Sequence, residues 1–156
     1  MAGHDEAVAG LEAAFAGVPR PSNSELLHPQ CYDDNDIADL YAYQDWRSVP
    51  DDVIENDYAA LSFLSAAGYR FFIPAYLRFA LRHPTSGTAV VDSTIWSFIP
   101  EMYEGDLVAF TRSKHALLST SERAAIERAL EALSTEPDLD AAKALASWRA
   151  SSSGGR

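Results

Sequence analysis

Hydrophobic positions recur every three to four residues along most of the chain, and the interruptions between these runs divide it into short helices. Val8, Leu11 and Phe15 share one helical face, and Gly17 suits the end of a helix over Asp5–Phe15. Pro19, Pro21 and Pro29, with Ser22, Asn23 and Ser24 among them, predict a surface connector over Val18–Gln30. Ile37, Leu40, Tyr41 and Gln44 form one face of a helix over Asn35–Trp46, capped by Asn35 or Asp36, with Asp36, Asp39 and Tyr43 on the other face. Val49-Pro50-Asp51-Asp52 breaks that helix. A new one is expected from Asp52 to Leu64, with Tyr58, Leu61 and Leu64 inward.

Ser65–His83 holds a conflict. Pro74 lacks an amide donor, its ring clashes with the preceding helical turn, and it pushes Ile73 away from helical angles. We therefore expect one helix from Ala66 to Phe72 and a second from Pro74 to His83, since a proline in the first turn is tolerated. A single kinked helix is the alternative, and Phe72, Tyr76 and Phe79 keep helical spacing in both.

Thr85-Ser86-Gly87 predicts a turn. Thr88–Ile99 is ambiguous: its β-branched residues suit a short irregular or extended segment, whereas Asp92 suits the cap of a helix. Asp106–Phe110 opens another helical piece. Ser119-Thr120-Ser121-Glu122 is a capping box, and the helix behind it runs to Leu133 with Ala125, Ile126, Ala129, Leu130 and Leu133 inward. Pro137 separates a last helix, Leu139–Trp148, and Ser151–Arg156 is expected as a flexible tail. With no repeat and no hairpin signal, the expected fold is a single all-α domain over residues 1–150. About six to eight short helices should build it.

The length of 156 residues suits one domain. Composition adds a strong charge imbalance: 23 acidic against 12 basic residues, a net −11, with a pI near 4.6. Nucleic-acid binding needs a basic surface, and anionic membranes repel an acidic one, so neither is an expected partner. Arg70, Arg78 and Arg82 interrupt the most apolar stretch, which therefore reads as the domain's buried centre and not as a membrane span. Met1–Gly10 carries His4, Asp5 and Glu6 in place of an apolar signal core, so a cytoplasmic location is expected.

The charge is localised. Between Cys31 and Asp57 stand Asp33, Asp34, Asp36, Asp39, Asp45, Asp51, Asp52, Glu55 and Asp57 against Arg47 alone, a net −8.

Catalytic and cofactor signatures are sparse. The phosphate loops G-x-x-x-x-G-K-[ST] and G-x-G-x-x-G and the nucleophile elbow G-x-S-x-G do not occur. His4, His28, His83 and His115 make no H-x-x-x-H pair, so no helix presents two metal ligands. Cys31 is the sole cysteine, so it makes no internal disulfide. Beside His28 it has a nucleophile's ingredients without a family signature, and it reads as an incidental thiol in a connector. Asp33-Asp34-Asn35-Asp36 lacks the glycine and the distant glutamate of a calcium loop. No metal and no cofactor is expected. Arg70, Arg78 and Arg82, on neighbouring rows of a helix, are expected to pair with the protein's own acidic segment.

The block Leu61–Leu77, LSFLSAAGYRFFIPAYL, resembles a bacterial family of small proteins of unknown function, as does Leu118–Ile126, LSTSERAAI. The resemblance spans Val8 to Leu133. It implies a bacterial, cytoplasmic protein without a cofactor and brings no site residue with it.

The residues themselves favour an acidic protein-binding module. Asp33, Asp34, Asp36, Asp39, Asp45, Asp51 and Asp52 would steer a basic partner toward the surface. Tyr41, Tyr43 and Trp46 would anchor it. The expected function is that of an immunity or inhibitor protein neutralising a basic toxin or nuclease-like partner. One alternative is a small hydrolase-like enzyme with a pocket lined by Tyr69, Arg70, Tyr76 and Arg78. Others are an oligomerising accessory protein, and an acidic face that serves only solubility.

Overall fold

The computed structural model describes residues 2–29, 31 and 34–154. Among these residues the regular structure is helical and no strand forms; Leu27 and Leu64 make an isolated antiparallel bridge. The α-helices are α1 (Ala2–Ala14), α2 (Asp51–Asn56), α3 (Ala60–Phe63), α4 (Ala66–Arg82), α5 (Ala89–Trp96), α6 (Asp106–Ala116), α7 (Thr120–Leu133) and α8 (Ala141–Gly154). Short 3-10 helices occupy Asn23–Glu25, Asn35–Ala42, Trp46–Ser48 and Pro100–Met102.

α4 is the axis of the domain. Every residue from Phe71 to Leu81 is buried, as expected of a helix that is apolar all round and covered on all sides. α1 and α7 pack against it and against each other, α5 and α6 cover other flanks, and α8 closes over α7.

α4 runs unbroken through Pro74, which corrects the expectation of two helices. Ser65 caps its start, Oγ accepting from the Gly68 amide at 3.1 Å. Pro74 offers no N–H to the carbonyl four residues earlier. That loss is smaller than the cost of exposing the eleven residues from Phe71 to Leu81, each of which finds the core only if the helix continues.

Other boundaries moved for similar reasons. The helix expected over Asn35–Trp46 is a 3-10 helix that stops at Ala42, with Tyr43 extended beyond it. Ile37 and Leu40, three residues apart, are its buried stripe, which suits a three-residue period. Arg20 holds the extension by donating to the carbonyls of Tyr41 at 3.2 Å and Tyr43 at 3.0 Å.

The helix expected from Asp52 to Leu64 divides into α2 and α3 around Asp57, and Tyr58, expected inward, is 48% exposed. Thr88–Ile99 holds α5, whose Val90, Val91, Thr94 and Ile95 are buried at helical spacing. α6 continues past Phe110 to Ala116. α7 carries the expected capping box and buries all five expected residues. α8 extends through Ser151 and Ser152, where a tail was expected, and Arg123 donates to both hydroxyls at 3.1 Å. Residues 155–156 of that expected tail lie outside the described residues.

The start of α4 is tightly seated. Ser65 donates its amide to Leu26 O at 2.7 Å and its hydroxyl to Glu25 O at 2.6 Å, stitching the connector to the helix. A Cβ on Gly68 would lie 2.9 Å from Leu26 O and 3.1 Å from a Leu64 methyl. Gly68→Ala is therefore expected to destabilise by about 1–3 kcal/mol, although alanine is the better helix former by about 1 kcal/mol. Thermal denaturation measures this. An unchanged or raised midpoint would mean that the connector yields.

Candidate functional site

The acidic face is assembled by two hydrogen bonds. Asn56 Nδ2 donates to Asp39 Oδ2 at 2.5 Å, and the Asp39 amide donates to Asp57 Oδ2 at 3.2 Å. They lay the 3-10 helix Asn35–Ala42 against the end of α2, so acidic stretches distant in sequence share one surface. Asp52 sits one helical turn before Asn56 and faces the same way.

At the centre of this face Asp57 is only 3% exposed. Burial, then the charge of Asp39 and more weakly that of Asp36, raises its carboxyl to about 6 against the pull of backbone amides at Asp39 and Leu40.

The expected partner-binding residues divide into three groups. Asp34, Asp36 and Asp52 are exposed and Asp39 is partly so. Asp45 and Asp51 are engaged locally: Asp45 takes two bonds from the Arg47 guanidinium and one from its amide, and Asp51 accepts from His83 Nε2 at 2.8 Å. Trp46, Tyr41 and Tyr43 do not stand out from the surface as anchors. Trp46 is 2% exposed, under the Arg78 guanidinium at 5.3 Å. Tyr41 and Tyr43 pack against the core as partly buried side chains. The cause is Arg78, which donates to the carbonyls of Arg47 at 3.0 Å and Val49 at 3.2 Å and draws the turn around Trp46 onto α4. Asp33 lies outside the described residues.

Among the described residues, the three arginines of α4 do not form ion pairs with the acidic segment. Arg70 makes a bidentate pair with Glu122 of α7 at 2.9 and 2.8 Å, because it faces the N-terminus of that helix. Arg78 uses backbone carbonyls, as above, and Arg82 is exposed. Tyr76 donates to Asp57 O at 2.8 Å inside the core. Tyr69, Arg70, Tyr76 and Arg78 thus each bond a different part of the fold.

Tyr69 instead borders a small cavity of about 60 Å³ with Leu61, Ser62, Tyr103, Phe110 and Lys114. Lys114 is buried. Its Nζ donates to Leu61 O and lies 4.0 Å from the centre of the Phe110 ring and 5.5 Å from that of Tyr69. Burial lowers the amine to about 7, opposed by the charge of Cys31. His28 packs edge-on against Phe110. Burial, and then Lys114, lowers its pKa too. Cys31 and His28 are thus neighbours of a lysine that motif searching did not single out.

His115, next along α6, donates from Nε2 to Ser97 O at 2.8 Å among Tyr69, Phe98 and Trp148, and burial brings it to about 4. The signal for Lys114 was periodicity. Thr111, Lys114, His115 and Leu118 recur at i, i+3, i+4 and i+7, the spacing of a buried helical face.

A more open cleft of about 800 Å³ lies between α6 and α8. Arg123 at its wall is committed to the fold: it lies 4.3 Å from the centre of the Trp148 ring and donates to His115 O, Ser151 and Ser152. Among the described residues, no three histidine, cysteine or acidic side chains are grouped to hold a metal ion. No described helix is long and apolar enough to cross a membrane.

The chain belongs to the family of unknown function DUF6714, whose model matches residues 3–152. No curated protein and no solved structure matches it.

Proposed function

We propose that the protein is a cytoplasmic binding module of the immunity or inhibitor type, which captures a basic protein on the face formed by Asn35–Ala42 and α2. The observation that carries this reading is the convergence of Asp36 and Asp39 on the buried Asp57 at the end of α2, a helix that also carries the exposed Asp52 and Glu55. Asp34, Asp36, Asp39, Asp52 and Glu55 form no ion pair among the described residues, so their field is directed outward. Such a field accelerates encounter with a basic surface. Trp46 is replaced as the aromatic contact by Tyr58, which follows Asp57 and is half exposed.

Asp36→Lys combined with Asp52→Lys tests the reading, because both side chains are exposed. Wild-type and variant baits are compared in pull-downs at low and high salt, and a basic protein held only by the wild type is purified for kinetics. Association with the variant is expected to slow about tenfold at low salt and to lose most of its salt dependence. An unchanged rate, or identical proteins on both baits, overturns the reading.

A further inference from the structure

Lys114 takes no part in the acidic face, yet it occupies the most expensive position available to a lysine. A buried ammonium normally needs a carboxylate. Among the described residues none lies within ion-pair distance of Nζ, which has one carbonyl acceptor, Leu61 O.

The neighbouring hydroxyls are engaged with one another or with backbone. Tyr69 pairs with Ser97 at 2.9 Å, and Thr111 donates to Leu107 O at 2.7 Å. The amine nitrogen is left as the reactive group on the cavity wall. The cavity reaches Leu107, which is 53% exposed, at its rim. At roughly 10–15 Å³ per water-sized group, its volume of about 60 Å³ has room for about four to six such groups. No guanidinium lines it, so no second cation beside Lys114 would hold a carboxylate.

We propose that this cavity is a reactive-amine site in which Lys114 takes up a small, uncharged aldehyde or ketone as a Schiff base. The Nζ lone pair adds to the carbonyl carbon while the carbonyl π electrons move to oxygen, which takes a proton from the now positively charged nitrogen. The resulting carbinolamine loses that oxygen as water, with the second proton supplied by the nitrogen, and a C=N bond remains. No oxidant or second reactant is consumed.

The surroundings favour each stage. Burial leaves a large share of the amine unprotonated near neutrality. Among the described residues the titratable groups facing it are Cys31, His28, His115, Tyr69 and Tyr103, and none of these is a carboxylate that would hold the ammonium form. Phe110 and Tyr69 offer ring faces to a planar imine.

The chain has two lysines, Lys114 and the exposed Lys143, so the control is internal. The folded protein is treated with propionaldehyde and cyanoborohydride at pH 7, and the alkylated lysines are counted by peptide mass spectrometry. Lys114 is expected to react about tenfold faster than Lys143 at pH 7, since far more of an amine lowered to about 7 is unprotonated than of an ordinary lysine, and to lose that advantage as pH rises to about 10.4. Equal or slower labelling of Lys114 overturns the proposal. Leu107→Trp, at the rim, is expected to slow Lys114 alone without changing the melting temperature. If labelling of Lys114 is unaffected, it is reached by unfolding and the cavity is not the site.

Discussion

Glu122→Ala is expected to lower stability by about 3–5 kcal/mol, the range found when one partner of a buried ion pair is removed. Glu122 is 3% exposed and serves two structures at once. Its carboxylate closes the α7 capping box by accepting from the Ser119 amide at 3.1 Å. The same carboxylate grips both Nε and Nη2 of Arg70, fastening α7 to α4. Burial pushes the carboxyl upward, but the Arg70 guanidinium and the Ser119 amide outweigh it and hold it below its usual range. Its contribution is therefore present above the ordinary glutamate pKa and is lost as pH falls through the lower folded value. Glu122→Gln preserves shape and one acceptor and should cost about half as much. Urea denaturation of both variants measures these losses. A loss under about 1 kcal/mol for Glu122→Ala would show that α7 is held by its apolar face alone.

The same residue shows which features were legible in the sequence. The capping box was readable because all its parts lie within four positions, and the inward face of α7 because one period governs it. Its arginine partner was not, since Arg70 lies 52 residues away and the acidic segment offered a nearer-looking alternative. Pro74 was misread for a related reason. The local rule against an interior proline is sound, but it takes no account of the burial of every side chain from Phe71 to Leu81.

The acidic segment was legible as a charge run but not as a surface. Composition could not reveal that His83 would occupy Asp51 or that Arg78 would draw Trp46 inward. An aromatic beside aspartates looks the same whether it is an anchor or core. Lys114 was legible in principle, but a lysine invites a surface assignment, and only its spacing with Thr111, His115 and Leu118 argues otherwise.

Lys114 also governs the second large effect: stability should rise by up to about 4 kcal/mol between pH 7 and pH 10. The folded amine titrates at about 7 and the unfolded one near 10.4. In that window the unfolded chain binds the additional proton, so each unit of pH adds about 1.4 kcal/mol to the folded state until the unfolded amine also deprotonates. Above pH 10 the trend reverses, because burial raises Tyr69 and Tyr76 and only the unfolded tyrosines ionise.

On the acid side two buried groups oppose each other. Asp57, at about 6 when folded, makes stability fall as pH rises from about 4 to 6. His115, at about 4 when folded, makes it rise from about 4 to 6.5. The wild-type profile should therefore be nearly level there, and Asp57→Asn should uncover the rise due to His115. Lys114→Met should change this acid limb only slightly, through the loss of its weak repulsion of a protonated His115, stabilise the protein at pH 7 and flatten the profile up to pH 10. Denaturation midpoints across the range provide the check, and a slope above pH 7 that survives Lys114→Met would place its source elsewhere than in the buried amine.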